Sequence, residues 1–361
     1  MLDCLVVGAG HCGLLCGSLL DRKELSYLIV DGGANIGDVW RHRPKSLRLF
    51  TSRQFCKLDG YSLPGDPEGY ATGQEFAQHM ANFTAINDLK VQLNTQIVNL
   101  TKVGNYFVAT TQTGQTIHAK TVINATGANQ VSFVPPFAKN LWPEVQQIRC
   151  SDYVDDTTIP PNSTVVVCGD GATGRQIAAE LSGKHKVTLA CGRVRKLVPN
   201  RIGGHDIFWW LHKARVLYAG SRSPIARILK KRDPIPVAYA NNAALIQQGV
   251  NIKPRAVNAE LNNILFNDGT VVQADVVIWC IGYKENVSWL RLPGVNSVDD
   301  LVAKKGITPE PGFFVVGRKW LSCRASELIL GADRDTARVV NFVQEYLAPA
   351  IKVAQEGYQS S

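Results

Sequence analysis

One short pattern occurs twice in this chain, and the repetition limits what the chain can fold into. The first copy is an apolar run, Cys4-Leu5-Val6-Val7, that enters Gly8-Ala9-Gly10-His11-Cys12-Gly13. A helix is predicted over Leu14–Leu20, then a strand over Tyr27-Leu28-Ile29-Val30 that ends in Asp31, 23 residues after Gly8. Strand, GxGxxG, helix, strand and acid are the parts of a dinucleotide-binding unit. One glycine makes the turn, the next lets the backbone approach a pyrophosphate, and the third lets helix pack on strand. The helix N-terminus offers N–H donors and the positive end of its dipole to phosphate. The second copy runs Val165-Val166-Val167-Cys168, Gly169-Asp170-Gly171-Ala172-Thr173-Gly174, a helix over Arg175–Leu181 and a strand over Lys186–Ala190. Each copy closes alike. A hairpin over Tyr106–Thr111 and Thr116–Asn124 ends at Ala125-Thr126-Gly127. Asn267-Asp268-Gly269 marks a hairpin turn whose outgoing strand, Asp275–Trp279, ends at Cys280-Ile281-Gly282. The first glycine and the closing glycine are 119 residues apart in one copy and 113 in the other. A single GxGxxG says little, but two at matching distances from matching ends describe two related α/β units.

The copies differ where specificity is set. The second strand of the second copy ends not in an acid but in Cys191-Gly192-Arg193-Val194-Arg195-Lys196. An acid there repels a 2′-phosphate and arginine pairs with it, so this unit reads as a site for NADPH rather than NADH, with Arg193 and Arg195 as its phosphate contacts. The same residues begin to account for an uneven charge. The chain is +9 overall, but residues 184–232 hold 13 Lys/Arg against the single acid Asp206. Phe208-Trp209-Trp210-Leu211 followed by Lys213, Arg215, Arg222, Arg227 and Lys230-Lys231-Arg232 reads as a helix over the cleft with a solvated basic face, or as a peripheral contact for an anionic membrane. No nucleic-acid motif accompanies the charge.

Composition agrees with a two-domain globular protein. At roughly 150 residues per domain, 361 residues suggest two. The mean hydropathy is −0.05, and the uncharged stretch Cys4–Leu20 is too short and glycine-broken to span a bilayer. It lacks a basic leader, so a signal peptide is not expected. Nine cysteines include no CxxC, which argues against a thioredoxin-type pair and a zinc ribbon and makes the cytoplasm the default compartment. Cys12 and Cys16 stand one helical turn apart and read as small packing residues. The seven histidines form no ligand spacing, so no metal is expected.

The chain resembles the flavin-containing monooxygenases of the YUCCA-type and bacterial monooxygenase-like branch of the two-dinucleotide-domain flavoproteins. Both glycine loops carry the resemblance, with Gly37-Asp38-Val39-Trp40-Arg41, Ser46-Leu47-Arg48-Leu49-Phe50-Thr51, Arg53-Gln54-Phe55-Cys56-Lys57-Leu58, Ala125-Thr126-Gly127, Asp206–Leu211 and Pro311-Gly312-Phe313-Phe314-Val315-Val316-Gly317. It implies an α/β protein with two Rossmann-like domains in the three-layer ββα arrangement of glutathione reductase. The FAD domain would span 1–158 and 286–361, and the NADPH domain, 159–285, is inserted in it. It further implies FAD contacts at Gly8, Gly10, His11, Cys12, Gly13, Asp31, Gly32, Trp40, Arg41, Thr51, Ile97, Ala125, Thr126, Gly127 and Asp335, and NADPH contacts at Gly169, Gly171, Ala172, Thr173, Gly174, Arg193, Arg195 and Gly282. Trp40 is either a flavin neighbour or core. Asp335 is either a ribityl contact or a plain helix N-cap. Thr51 and Gln54 are the candidate catalytic residues, with Ser52 a further polar neighbour. The implied reaction reduces flavin with NADPH, forms a C4a-(hydro)peroxide with O2 and oxygenates a small organic substrate, with S- or N-oxygenation, Baeyer–Villiger insertion and oxidative decarboxylation all open.

One departure matters. The family's FxGxxxHxxx(Y/F) linker, aligned on Tyr153, here has Pro143, Val145 and Arg149 in place of Phe, Gly and His. That keeps a rival reading open: an NADPH oxidase or reductase that passes electrons to quinone, metal or O2 without inserting oxygen. A non-catalytic redox sensor or scaffold is the third reading, which two intact loops argue against. No motif names the substrate or the oligomeric state, a homodimer being one option.

Overall fold

The computed structural model describes residues 1–192, 196–234, 236–295, 297–301 and 305–359. Two sheets organise it. In the first, Leu2–Val7 lies between Tyr27–Val30 and Thr116–Asn124, parallel to both. Val91–Gln92 extends one side in parallel. On the other side Tyr106–Thr111 and Ile97–Val103 continue antiparallel. Two late strands return to this sheet: Leu290–Arg291 beside Ile97–Val103, and Phe313–Val315 beside Thr116–Asn124. The second sheet is all parallel, in the order Asn251–Lys253, Lys186–Ala190, Thr164–Cys168, Val276–Trp279, Gln146–Arg149. Its central strands Thr164–Cys168 and Val276–Trp279 read as apolar runs because both faces are covered, whereas the edge strands Asn251–Lys253 and Gln146–Arg149 are polar. The strand Gln146–Arg149 thus pairs in the second sheet although it precedes residue 159. The hairpin expected at Asn267–Gly269 joins Asn263–Phe266 to Val271–Gln273 in a separate three-stranded sheet.

Both helices after the loops begin three residues earlier than the apolar pattern places them, at His11 (His11–Asp21) and Ala172 (Ala172–Leu181). Gly10 and Gly171 are their extended N-caps, so the third glycine of each fingerprint lies inside the first turn. A Cβ on Gly13 would sit 1.9 Å from the Gly8 carbonyl oxygen, and one on Gly174 would sit 1.9 Å from that of Gly169. Only glycine closes these turns. Gly8 and Gly169 have φ of +109° and +106°, a region that suits glycine.

The basic segment holds two short helices, Ile207–Lys213 and Pro224–Arg232. Phe208 is buried with Leu217, Cys323, Ala325 and Leu328, whereas Trp210, Ile225 and Ile228 are exposed. Among the described residues no helix is long and apolar enough to cross a membrane, and no group of three or more His, Cys, Asp or Glu is arranged to hold a metal.

Candidate active site

The first loop is fastened through its acid. Asp31 accepts the Ala9 N–H on Oδ2 and the Gly33 N–H on Oδ1, each at 2.7 Å. A carboxylate has further lone pairs for a ribose. Asp31 lines a 250 Å³ cavity with Gly8, Gly10, Gly32, Ile97, Ala125 and Thr126. Thr95, Gln96, Gln130 and Trp289 complete it; no sequence pattern marks them.

A second cavity of 340 Å³ adjoins it, sharing Gly10, Val39, Ala125 and Thr126. The two therefore suit one elongated ligand. His11, Cys12, Trp40, Thr51 and Gly127 line the second cavity. So do Ala172, Thr173 and Gln176 from the start of the other loop's helix. Trp40 serves both of its readings, since it faces this space and packs edge-on against Phe76 at 5.1 Å. Burial holds His11 down to about 4, which keeps its ring neutral at physiological pH. Sequence reasoning also missed Arg43 and Tyr283, which line this cavity and meet through an Arg43 Nη1 to Tyr283 hydroxyl bond of 2.9 Å. They are 240 residues apart in sequence, and no local signal connects them.

A third cavity, a cleft of 610 Å³, belongs to the second loop: Gly169, Asp170, Gly171, Gly192 and Gly282 line it with Phe133, Phe137, Arg255, Trp279 and Cys280. Here the acid has changed places. Cys191 takes the place of Asp31 at the strand end. The next residue, Gly192, donates its N–H to Asp170 Oδ1 at 3.1 Å, and Asp170 stands where Ala9 stands in the first loop. Asp170 is buried and held by Arg175, with 3.5 Å between Oδ2 and the guanidinium. The strand end is thus left without a carboxylate. Arg193 and Arg195, the expected 2′-phosphate contacts, lie outside the described residues. Arg255 is a cation in the cleft that the sequence did not single out.

Five expected residues line none of these cavities, and two of them, Gly13 and Gly174, sit inside the first turns of their helices. Gln54 does not line the inter-loop cavity. Asp206 accepts the Ser52 N–H at 2.5 Å and the Phe208 N–H at 2.9 Å, pinning the backbone. The Gln54 amide then bonds Ser52 and Glu68 and faces a separate cleft with Phe55, Lys57 and Trp209. Arg41 lines none of the three cavities; it donates to the Ile36 carbonyl and pairs with Asp38, bracing its own turn. Asp335 is not an N-cap, because the last helix, Ile329–Gln359, starts two turns earlier. Its Oδ1 accepts from Ser322 and Arg338 at 2.6 Å each, while its buried Oδ2 has no partner.

These features fit two dinucleotides. Nothing stands within 4 Å of a Cβ on Gly10 or Gly171, so open space faces each helix N-terminus where a pyrophosphate would lie. The residues present therefore suit FAD at the first loop and NADPH at the second.

Residues 5–197 match the family described as pyridine nucleotide-disulphide oxidoreductase. The chain belongs to this family. It is similar to an uncharacterized CzcO-like oxidoreductase of Geobacillus kaustophilus, 35% identical over 94% of this chain and 98% of that protein. It is 25% identical to a probable indole-3-pyruvate monooxygenase, YUCCA3, of Arabidopsis thaliana over 87% of this chain and 81% of that one. Its fold is that of a flavin-containing monooxygenase from Stenotrophomonas maltophilia, with a TM-score of 0.78, 24% identity, and 96% and 98% of the two chains covered. This member of the family is an enzyme, a flavin monooxygenase-like oxidoreductase of two-dinucleotide α/β fold.

Proposed function

We propose that this oxidoreductase is an FAD- and NADPH-dependent monooxygenase acting on a small organic substrate. The observation that carries the reading is the 340 Å³ cavity lined at once by Gly10–Cys12 of the first loop and by Ala172, Thr173 and Gln176 behind the second. A ligand on each loop would bring its redox ring to that space. When bound, flavin and nicotinamide supply the hydride transfer and the activation of O2. The chain's own residues bind and orient. Asp31 takes the adenosine ribose of FAD, the N–H groups at the start of His11–Asp21 take its pyrophosphate, and Ala172–Leu181 does the same for NADPH. Trp40, Leu49 and Phe50 keep water from the shared cavity, and Thr51 offers a hydroxyl there. In domain terms, 1–158 and 286–361 form the FAD domain and 159–285 the NADPH domain, with Gln146–Arg149 lent to the second sheet. The monooxygenase names among the relatives and the fold neighbours support the oxygenating outcome.

The linker favours a second reading, electron transfer to O2 or another acceptor without oxygen insertion. Arg149, at the family's histidine position, is exposed, tied to Asp152 at 2.7 Å, and does not line the cavity. The test is to mix the NADPH-reduced enzyme with O2 in the presence of a thioether or a tertiary amine. Peroxide well below the NADPH consumed, balanced by sulfoxide or N-oxide, is the expected result. Stoichiometric H2O2 with every acceptor overturns oxygen insertion and leaves the oxidase.

The same preparation tests nucleotide choice. NADPH should bleach the flavin about tenfold faster or more than NADH, and Arg193→Ala should abolish the difference, as loss of a charge-assisted phosphate contact predicts. Equal rates in the unaltered enzyme would remove the 2′-phosphate assignment.

A further inference from the structure

Cys150 and Cys280 follow directly on two paired parallel strands. Trp279 is in register with Arg149, and the Cys150 N–H donates to the Trp279 carbonyl at 3.1 Å. That register places the Cys150 and Cys280 side chains side by side on one face of the sheet. A donor reaches the Cys150 sulfur, the Tyr283 hydroxyl at 3.6 Å, and that hydroxyl accepts from Arg43. The relay of guanidinium, phenol and sulfur crosses the partition between two cavities. Arg43 and Tyr283 line the inter-loop cavity, and partly exposed Cys280 lines the nucleotide cleft. The neighbouring Cys280 thiol, Tyr283 and Arg43 favour a negative charge on Cys150 and prevail over burial and Asp152, bringing the Cys150 thiol down to about 7. Burial pushes Cys4, Cys12 and Cys168 up to about 12. The hydride and oxygen chemistry proposed above uses neither Cys150 nor Cys280.

We propose that Cys150 and Cys280 form a hydroperoxide-reactive dithiol site that closes reversibly to a disulfide in the wall of the nucleotide cleft. The Cys150 thiolate attacks one oxygen of H2O2. An S–O bond forms, the O–O bond breaks, and hydroxide leaves and takes up a proton, so that Cys150 becomes a sulfenic acid, oxidised by two electrons. The Cys280 sulfur then attacks Cys150. The S–S bond forms, the S–O bond breaks, and the departing hydroxide leaves as water with the Cys280 proton. In sum two thiols and H2O2 give one disulfide and two waters, and an external thiol restores the pair. Arg43 and Tyr283 are positioning residues that hold Cys150 as the attacking anion. The site does not depend on the oxygenating reading, since any hydroperoxide small enough to pass from the cleft beside Cys280 to buried Cys150 serves. A nucleotide in that cleft covers Cys280 and slows the reaction.

The test uses the full chain as isolated, without NADPH, treated with H2O2, quenched with an alkylating agent and mapped by peptide mass spectrometry. Two thiols should be lost together as a Cys150–Cys280 cross-link that dithiothreitol reverses. Cys280→Ser should stop at a dimedone-trapped sulfenic acid on Cys150. Cys150→Ser should slow thiol loss by about tenfold or more, and Tyr283→Phe by about threefold, as the thiolate fraction falls. Saturating NADP+ should slow the reaction of the unaltered chain. Far-UV circular dichroism checks each variant's fold without reference to a cofactor. Oxidation that begins at another cysteine, or at an unchanged rate in Cys150→Ser, overturns the proposal. A chain that bleaches normally with NADPH yet keeps both thiols free under peroxide fails this proposal alone.

Discussion

Gly171→Val should give a folded, yellow protein that NADPH no longer reduces. Gly171 has φ −67° and ψ 179°, ordinary extended backbone for any residue, and nothing lies within 4 Å of an added Cβ. The substitution therefore costs about 1 kcal/mol or less of stability. The new isopropyl group instead occupies the space over the N-terminus of Ala172–Leu181, where a pyrophosphate needs bare backbone. Reduction by NADPH should fall about 100-fold or more, while flavin content stays near that of the unaltered enzyme. Gly174→Ala makes the contrast, because its Cβ would stand 1.9 Å from the Gly169 carbonyl oxygen. That clash disrupts the turn itself and should lower the melting temperature. Thermal melts, flavin absorbance and stopped-flow bleaching separate the two effects. Reduction of Gly171→Val at the unaltered rate would show that the second loop does not carry the nucleotide.

The two loops were legible because their glycines answer to backbone geometry, which local sequence states directly. Gly8 and Gly169 must adopt positive φ, and Gly13 and Gly174 must leave room for a carbonyl. The helix starts were misplaced for the same reason. Apolar periodicity begins at Leu14, but the helix already holds Gly13 in its first turn. Gln54 was misread because its direction depends on Glu68, 14 residues away, and on Ser52, whose own N–H is held by Asp206 from 154 residues away. Asp206 sits with no exposed surface, where burial makes its carboxyl a weaker acid, and it holds the Ser52 backbone rather than opening to solvent. Arg43, Arg255 and Tyr283 had no motif, since each enters its cavity from a different stretch of chain. The placing of the acid at position 31 in one copy and at 170 in the other was visible as residues. Its meaning required the hydrogen bonds that the two carboxylates accept, from Ala9 and from Gly192.

Asp31→Ala should yield a colourless protein at neutral pH. The carboxylate is the acceptor for two backbone N–H groups, those of Ala9 and Gly33, and its removal leaves both without that partner. Each lost acceptor costs about 1–3 kcal/mol where water is excluded, and the ribose of FAD loses its anchor as well. Affinity for FAD should fall about 1,000-fold, beyond the range in which flavin survives purification. Asp31→Asn retains one acceptor oxygen but turns an NH2 toward the other N–H, so it should retain FAD only when excess cofactor is supplied. Asp170→Ala tests the exchanged arrangement in the second loop. It removes the acceptor for Gly192 and the carboxylate facing buried Arg175, and should weaken NADPH binding while the protein stays yellow. Flavin absorbance per mole of protein decides the first case, and the NADPH concentration needed for half-maximal bleaching decides the second. Full flavin occupancy in Asp31→Ala would mean that the first loop's acid holds only its own turn, and FAD would have to be anchored by the 340 Å³ cavity alone.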